Sequence, residues 1–208
     1  MSYFITFEGI EGSGKSTQAA RLADALKRAG HEVVTTREPG GTELGRKLRA
    51  ILLEADAVAP TAETELFLYL ADRAEHVSRL IRPALERGAV VICDRFSDST
   101  LAYQAWGRGL DQEMVRSADL FARGGTAPGR TILLDLPVED GLARARQTGP
   151  ADRIEQETLA FHRRVQQGFH EIAAAESERV ARFDARCDLA TLAHQIAADV
   201  LEWIGKAR

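Results

Sequence analysis

Short continuous apolar runs lie at Tyr3 to Glu8, Val90 to Cys93 and Ile132 to Leu134. Runs too short for a helix and bounded by glycine or aspartate are expected of strands covered on both faces. His31 to Thr36 and Arg179 to Phe183 read as two further short strands. Between the strands the period becomes helical. Ala19, Leu22, Ala23 and Leu26 fall at i, i+3, i+4 and i+7, and Ala29-Gly30 supplies a stop. Helices are also predicted over Glu43 to Leu53, Ser99 to Gln104, Asp111 to Phe121 and Val138 to Arg146. Thr61 is a suitable N-cap for a longer helix with Glu63 and Glu65 in its first turn, and Pro83 should kink or restart it. A long helical stretch is predicted from Asp152 toward Glu178. Asp188 should cap a terminal helix whose stripe comprises Leu189, Leu192, Ala193, Ile196, Ala197, Val200, Leu201 and Ile204. Five strands alternating with helices predict βαβ units: an α/β fold with a parallel sheet covered on both faces, in one domain over 1–208. Ligands then gather at the carboxyl ends of the strands.

The loop at the first of those ends carries chemistry. Gly9-Ile10-Glu11-Gly12-Ser13-Gly14-Lys15-Ser16, followed by Thr17, fits G-x-x-x-x-G-K-[ST] between a predicted strand and a predicted helix. Glycines let successive backbone N–H groups face inward, and the helix presents its positive end to anionic oxygens. Lys15 then reaches the outer phosphates, and the Ser16 hydroxyl ligates magnesium. The motif does not name the phosphoryl acceptor.

Composition narrows the class without choosing it. The chain has 208 residues, 45% apolar and 28% charged, with a net charge of -4, which suits a globular domain rather than a broad nucleic-acid footprint. Any anion site must be local. No apolar run reaches the roughly 20 residues needed to cross a bilayer, and Met1-Ser2-Tyr3 leads into the first strand without a charged leader, so a cytoplasmic protein is expected, with no membrane partner. The two cysteines, Cys93 and Cys187, show no metal spacing, and Cys93 reads as a buried structural thiol. A nucleotide-dependent switch would need an [NT]-K-x-D guanine motif and a D-x-x-G, and neither is found.

Three sets of residues stand out beyond the loop. Asp94 and Asp135 each end an apolar strand, and either could position magnesium; Asp135 could equally cap the helix after Pro137. Arg95 beside Asp94 would hold a transferred phosphoryl group. On the helix after Thr61, Arg73 falls on the apolar stripe of Leu66, Tyr69, Leu70, Val77, Leu80 and Ile81. A buried arginine needs an anion, a carboxylate or a planar partner, so an internal salt bridge and a base-binding role both stay open. Arg144, Arg146 and Arg153 bracket a break at 147–151, a candidate flap, although solvated helix surface would account for them as well.

Assembled, these residues resemble thymidylate kinase of the bacterial type, a nucleoside monophosphate kinase family. The likeness rests on Phe7 to Thr17, Arg37-Glu38-Pro39-Gly40-Gly41-Thr42, Ala71-Asp72-Arg73, Asp94 to Gln104 and Asp152-Arg153-Ile154-Glu155, in matching order and spacing. It implies a P-loop NTPase fold with a five-stranded parallel sheet and a short lid near 144–155. It also implies Mg2+-dependent transfer of the ATP γ-phosphoryl to dTMP, and a homodimer. By the same likeness Gly9, Gly12, Ser13, Gly14, Lys15 and Thr17 bind ATP, while Ser16 faces Mg2+; Asp94 is taken as its acidic partner, with Asp135 still open. Glu11 meets the deoxyribose 3'-hydroxyl or metal-bound water. Arg37, Arg49 and Arg95 hold the dTMP phosphate. Tyr69 stacks on the base, Arg73 hydrogen-bonds it, Thr100 and Gln104 read its polar edge beside Ser99, and Tyr103 crowds the 2' position. Because Gly12 follows Glu11 where some relatives carry arginine, the catalytic arginine comes from the lid, with Arg144, Arg146 and Arg153 as candidates. Two departures stand: Tyr69 replaces the usual phenylalanine, and Thr148 stands where related lids often carry another arginine.

Overall fold

The computed structural model describes residues 3–54, 58–147 and 149–206; Met1, Ser2 and Thr148 lie outside them. Strands β1 (Tyr3–Glu8), β2 (Val33–Arg37), β3 (Val90–Asp94), β4 (Arg130–Asp135) and β5 (Val180–Asp184) form one parallel sheet in the order β2-β3-β1-β4-β5. Ile5 of β1 stands opposite Ile92 of β3, and Phe7 opposite Ile132 of β4. The continuous apolar runs are the three inner strands, as their composition predicts. The two outer strands leave Thr35, Arg37 and Arg182 at the surface.

Ile5, Phe7, Ile92 and Ile132 share a core cluster with Leu22 and Leu26 of α1 (Lys15–Arg28) and with Leu192 and Ile196 of α9 (Leu189–Lys206). Phe4, Val91 and Cys93 instead meet Val77, Ile81, Ala84 and Phe96. At roughly 1.5–3 kcal/mol per fully buried large apolar side chain, against about 0–1 kcal/mol for an exposed ion pair, these faces and not the surface charges set stability. Cys93 is fully buried, burial pushes its thiol well up, and its Sγ donates to Arg95 O at 3.0 Å.

Helix α3 (Ala62–His76) is capped by Thr61 and passes through a π-helical turn at Val77–Ile81 before restarting as α4 (Arg82–Glu86). That is how the predicted break at Pro83 is absorbed: proline has no N–H to donate and its ring crowds the preceding turn. The chain also forms α2 (Glu43–Leu53) before α3 and, after β3, α5 (Ser97–Thr100), a second π-helical segment (Leu101–Gly107) and α6 (Gln112–Arg123). Helix α6 begins one residue later than predicted because the Asp111 side chain serves as its cap, accepting from Met114 N at 2.8 Å.

The predicted stretch from Asp152 is the largest misreading. Asp152 Oδ1 accepts from Ile154 N and Glu155 N, both at 2.9 Å, which bends the backbone into a turn. Thr158 then caps α8 (Leu159–Ala175), so the helix proper starts seven residues later than the charge pattern suggests. The terminal helix is capped by Asp188 as predicted, but only Leu192, Ile196, Val200 and Ile204 of its stripe are buried, and Leu189 and Leu201 stay exposed.

From β1 the chain leaves through α1 toward β2; from β3, beside it, the chain leaves the other way toward β4. The carboxyl ends of β1 and β3 are therefore the switch point where a crevice opens. Among the described residues no helix is long and apolar enough to cross a membrane.

Candidate active site

The loop between β1 and α1 lies at that switch point. Gly14 caps α1 with φ 90° and no side-chain cap, so the first turn offers its amides to an anion. At Gly12, φ is 68° and an added Cβ would stand 2.0 Å from Gly141 O, so the loop lies backbone to backbone against α7 (Val138–Ala145). No side chain fits there without a shift of one backbone or the other. Lys15 Nζ donates to Ile10 O at 2.7 Å and to Ser13 Oγ at 3.1 Å, lying across its own loop. Burial, with the Arg95 charge acting the same way, pulls its pKa down to about 8 against the pull of Asp94, Glu11 and Glu8.

Asp94 and Asp135, which the sequence does not separate, have different surroundings. The Ser16 hydroxyl donates to Asp94 Oδ2. Asp135 instead accepts from His170 Nε2 at 2.9 Å and Arg182 Nε at 3.0 Å, and these partners, His170 first, hold its carboxyl down at about 2. Two oxygens at the phosphate loop suit a hard cation that takes oxygen ligands and keeps waters and substrate phosphates as the remainder.

Beside the loop a cavity of about 240 Å3 is lined by Glu11, Lys15, Ser16, Arg37, Arg49, Tyr69, Arg73, Asp94, Arg95, Ser99, Thr100, Tyr103 and Gln104. The residues expected at ATP, metal and acceptor thus converge from five stretches of chain. Arg37 ends β2 directly opposite Asp94. Arg49 donates to Pro39 O at 3.0 Å, and burial and then the Arg37 charge depress its pKa, so a site with this much crowded positive charge is suited to an anion. Arg95 donates to Gly9 O and Ser99 Oγ at 3.1 Å and to Glu11 Oε1 at 3.0 Å, and its guanidinium sits 4.9 Å over the Tyr103 ring. The Tyr103 hydroxyl also donates to Glu11 Oε1. Burial opposes the Glu11 charge, but the facing His162 ring, the Arg95 and Lys15 charges and the Tyr103 hydroxyl hold its carboxyl down at about 2.

The misplaced arginine proves to be both a salt bridge and a cavity wall. Arg73 is 1% exposed. Its Nε and one terminal nitrogen donate to Glu38 Oε2 at 2.9 and 2.7 Å, and the other terminal nitrogen donates to Asp119 at 2.6 Å and Thr100 Oγ1 at 2.8 Å. Of five guanidinium hydrogens, four are used, so one N–H is left for a further acceptor, and Arg73 lines the cavity. Gln104 spends one N–H on Glu65 Oε1 at 2.8 Å and keeps its carbonyl for another partner. Tyr69 lines the cavity half-buried, and burial followed by the Glu65 charge raises its phenol pKa.

The three lid arginines are not brought together. Arg144 is exposed and donates to Ala185 O at 2.9 Å, and Arg146 is exposed. Arg153 points the other way: it is 8% exposed, donates to Leu52 O at 2.8 Å and to Glu65 Oε2 at 2.6 Å, and lies outside the cavity. Glu65, 1% exposed and otherwise served by Arg108 and Gln104, holds it inward here.

Glu38, Glu65, Asp119 and His162 are the site residues that the sequence reading passes over. For Glu65 a signal existed, since Glu65, Tyr69 and Arg73 fall at i, i+4 and i+8 on one helix face. Glu38 and Asp119 reach Arg73 from 35 and 46 residues away, and no local pattern announces that.

The family model described as thymidylate kinase matches residues 7–196. A thymidylate kinase from Synechococcus sp. (strain JA-2-3B'a(2-13)) is 55% identical over 193 residues, 93% of this chain and 91% of the relative. One from Geobacter sulfurreducens is 51% identical, with 97% of each chain covered. A crystal structure of thymidylate kinase from Ehrlichia chaffeensis superposes with a TM-score of 0.79 at 34% identity, covering 97% of this chain and 98% of that one.

Proposed function

The chain belongs to the thymidylate kinase family, a dTMP phosphotransferase family with a P-loop NTPase fold, and from that premise we propose how its own residues carry out the transfer of the ATP γ-phosphoryl group to dTMP, giving dTDP and ADP. The observation that carries the reading is the meeting of Lys15 with Arg37, Arg49 and Arg95 around one cavity. The dTMP phosphate oxygen is already anionic, so no base need activate it, and the protein's work is alignment and charge neutralisation. Arg37, Arg49 and Arg95 hold the acceptor phosphate; Arg73, Thr100 and Gln104 meet the thymine edge, with Tyr69 on its face; Glu11 meets the 3'-hydroxyl, and Tyr103 leaves no room for a 2'-hydroxyl. The loop amides from Gly9 to Thr17 and the Lys15 ammonium hold the ATP phosphates. Ser16 and Asp94 would hold Mg2+, which when bound supplies further positive charge at the phosphates. A coupled assay with ATP and Mg2+ comparing dTMP, dUMP, dCMP and shikimate tests the whole; dTMP should be turned over best, and preference for a non-thymine acceptor would overturn it.

Within one kinase domain, residues 144–155 form the lid, and we divide its arginines. Arg144 and Arg146, both exposed, are the ones that reach transferring phosphates, Arg144 by leaving Ala185 O, while Arg153 braces the lid to α2 and α3. Arg153→Ala removes one of three partners from a buried carboxylate, so it should cost about 1–3 kcal/mol of stability. It should also lower kcat less than Arg146→Ala does. Thermal melts and steady-state kinetics decide, and a collapse of kcat at unchanged Tm would return Arg153 to the phosphates.

A homodimer is supported by an apolar surface. Helices α3 and α6 lie side by side and leave Phe67, Leu120 and Phe121 exposed by 63%, 52% and 90%. An apolar patch of this kind is suited to a second copy. Light scattering should give twice the 22.8 kDa chain mass, and Phe121→Glu should halve it.

A further inference from the structure

Behind Glu11 stands a buried group to which no role has been given. His162 on α8 is 0% exposed, and its Nδ1 lies 3.4 Å from Glu11 Oε2. The Glu11 carboxylate is served unequally. Oε1 accepts from Arg95 and Tyr103, whereas among the described residues Oε2 and both His162 ring nitrogens are buried without a hydrogen-bond partner. Buried polar atoms of this kind are rare unless they serve something, and here the two orphaned groups face each other. The contact is close without meeting hydrogen-bond criteria; catalytic hydrogen bonds are commonly long in the free protein and tighten once substrate is aligned. The support is rigid: Phe161 meets the His162 ring at 5.4 Å between centroids, and Phe161 and Phe169 meet Tyr103 at 6.2 and 6.1 Å. Helix α8 thus carries His162 and backs Tyr103, two of the groups that meet Glu11.

We infer that His162 is the positioning residue for Glu11, donating from Nδ1 to Oε2 and so fixing the carboxylate plane that reads the acceptor's 3'-hydroxyl. His162 therefore sets the preference for a 3'-hydroxyl nucleotide over its 3'-deoxy counterpart. The inference rests on the assignment of Glu11 to the acceptor sugar. A site that binds a substrate hydroxyl discriminates only as well as its acceptor is aligned.

The test is kcat and KM of the full chain for dTMP and 3'-deoxy-dTMP in His162→Leu, His162→Asn and His162→Gln, with Glu11→Gln beside them. Asparagine can place an amide nitrogen near the Nδ1 position, and glutamine can place one near Nε2. His162→Leu and His162→Gln should lose about 10–100-fold in kcat/KM for dTMP, as losses of an orienting partner commonly do. Both should change little with 3'-deoxy-dTMP, and His162→Asn should keep most of the preference. Equal losses on both acceptors, or His162→Asn behaving like His162→Gln, overturns the inference; should His162→Leu fail to fold, the contrast between the two amides still decides. If Glu11→Gln keeps the full 3'-hydroxyl preference, the Glu11 assignment fails. If Glu11→Gln loses that preference and the histidine variants keep it, only the positioning role fails.

Discussion

Lys15→Ala should lower kcat for dTMP phosphorylation by about 10³-fold or more, the scale of losing a preorganised charge from a site that works by electrostatic alignment. The fold should survive, because truncation removes two hydrogen bonds, to Ile10 O and Ser13 Oγ, worth about 1 kcal/mol each against the apolar faces of the sheet. The same amine predicts a pH limb. The ammonium is the form that binds phosphate, and its pKa in the free protein is lowered from 10.5 to about 8. The charge is therefore complete well below pH 8 and lost as pH rises through it, so kcat/KM for ATP should fall along that limb. Bound phosphates favour the charged form, so the corresponding limb in kcat lies at higher pH. Lys15→Ala should lose the limb in kcat/KM. Normal turnover by a folded Lys15→Ala variant would remove Lys15 from the phosphates altogether.

What the sequence discloses and what it hides divide along the range of the interactions. The inner strands, the caps at Thr61 and Asp188, and the phosphate loop rest on residues within a few positions of one another, and each is where its pattern puts it. The turn at Asp152 is equally local, yet its pattern is ambiguous: Arg153, Ile154 and Glu155 suit a helix as well, and the side-chain acceptor of Asp152 wins by taking two backbone N–H groups that a helix would leave unserved in its first turn. The Arg73 anomaly was visible as a charge on an apolar stripe. Its resolution was not, because Glu38 and Asp119 come from a loop and a helix that the sheet topology alone brings to it. Arg153 shows a different limit. A motif position can be recognised while the direction of its side chain is set by a distant partner, here Glu65 across 88 residues.

The second large effect belongs to Arg95, where backbone and side chain can be separated by experiment. Among the described residues Arg95 alone, apart from glycines, has positive φ, at 72°. That conformation is pinned by Arg95 N donating to Phe7 O at 2.9 Å and by Phe96 N donating to the buried Glu8 carboxylate at 2.7 Å. It aims the guanidinium between the phosphate loop, through Gly9 O, and the acceptor cavity, through Glu11. Burial opposes its charge, and Tyr103 with the carboxylates of Glu11, Asp94 and Glu8 more than offsets that, so it stays a full cation. Arg95→Ala should reduce kcat/KM for dTMP by about 10³-fold. Arg95→Lys should recover little of this, since an ammonium cannot hold a carboxylate, a carbonyl and a phosphate in one planar fork. Arg95→Gly should be as inactive as Arg95→Ala yet more stable by about 1 kcal/mol, because glycine adopts positive φ without the clash of a Cβ. Melting curves of the two variants read the backbone contribution, and their shared kinetic loss reads the guanidinium. An alanine variant that keeps kcat/KM for dTMP within tenfold of the wild type would show that Arg37 and Arg49 hold the acceptor phosphate without it.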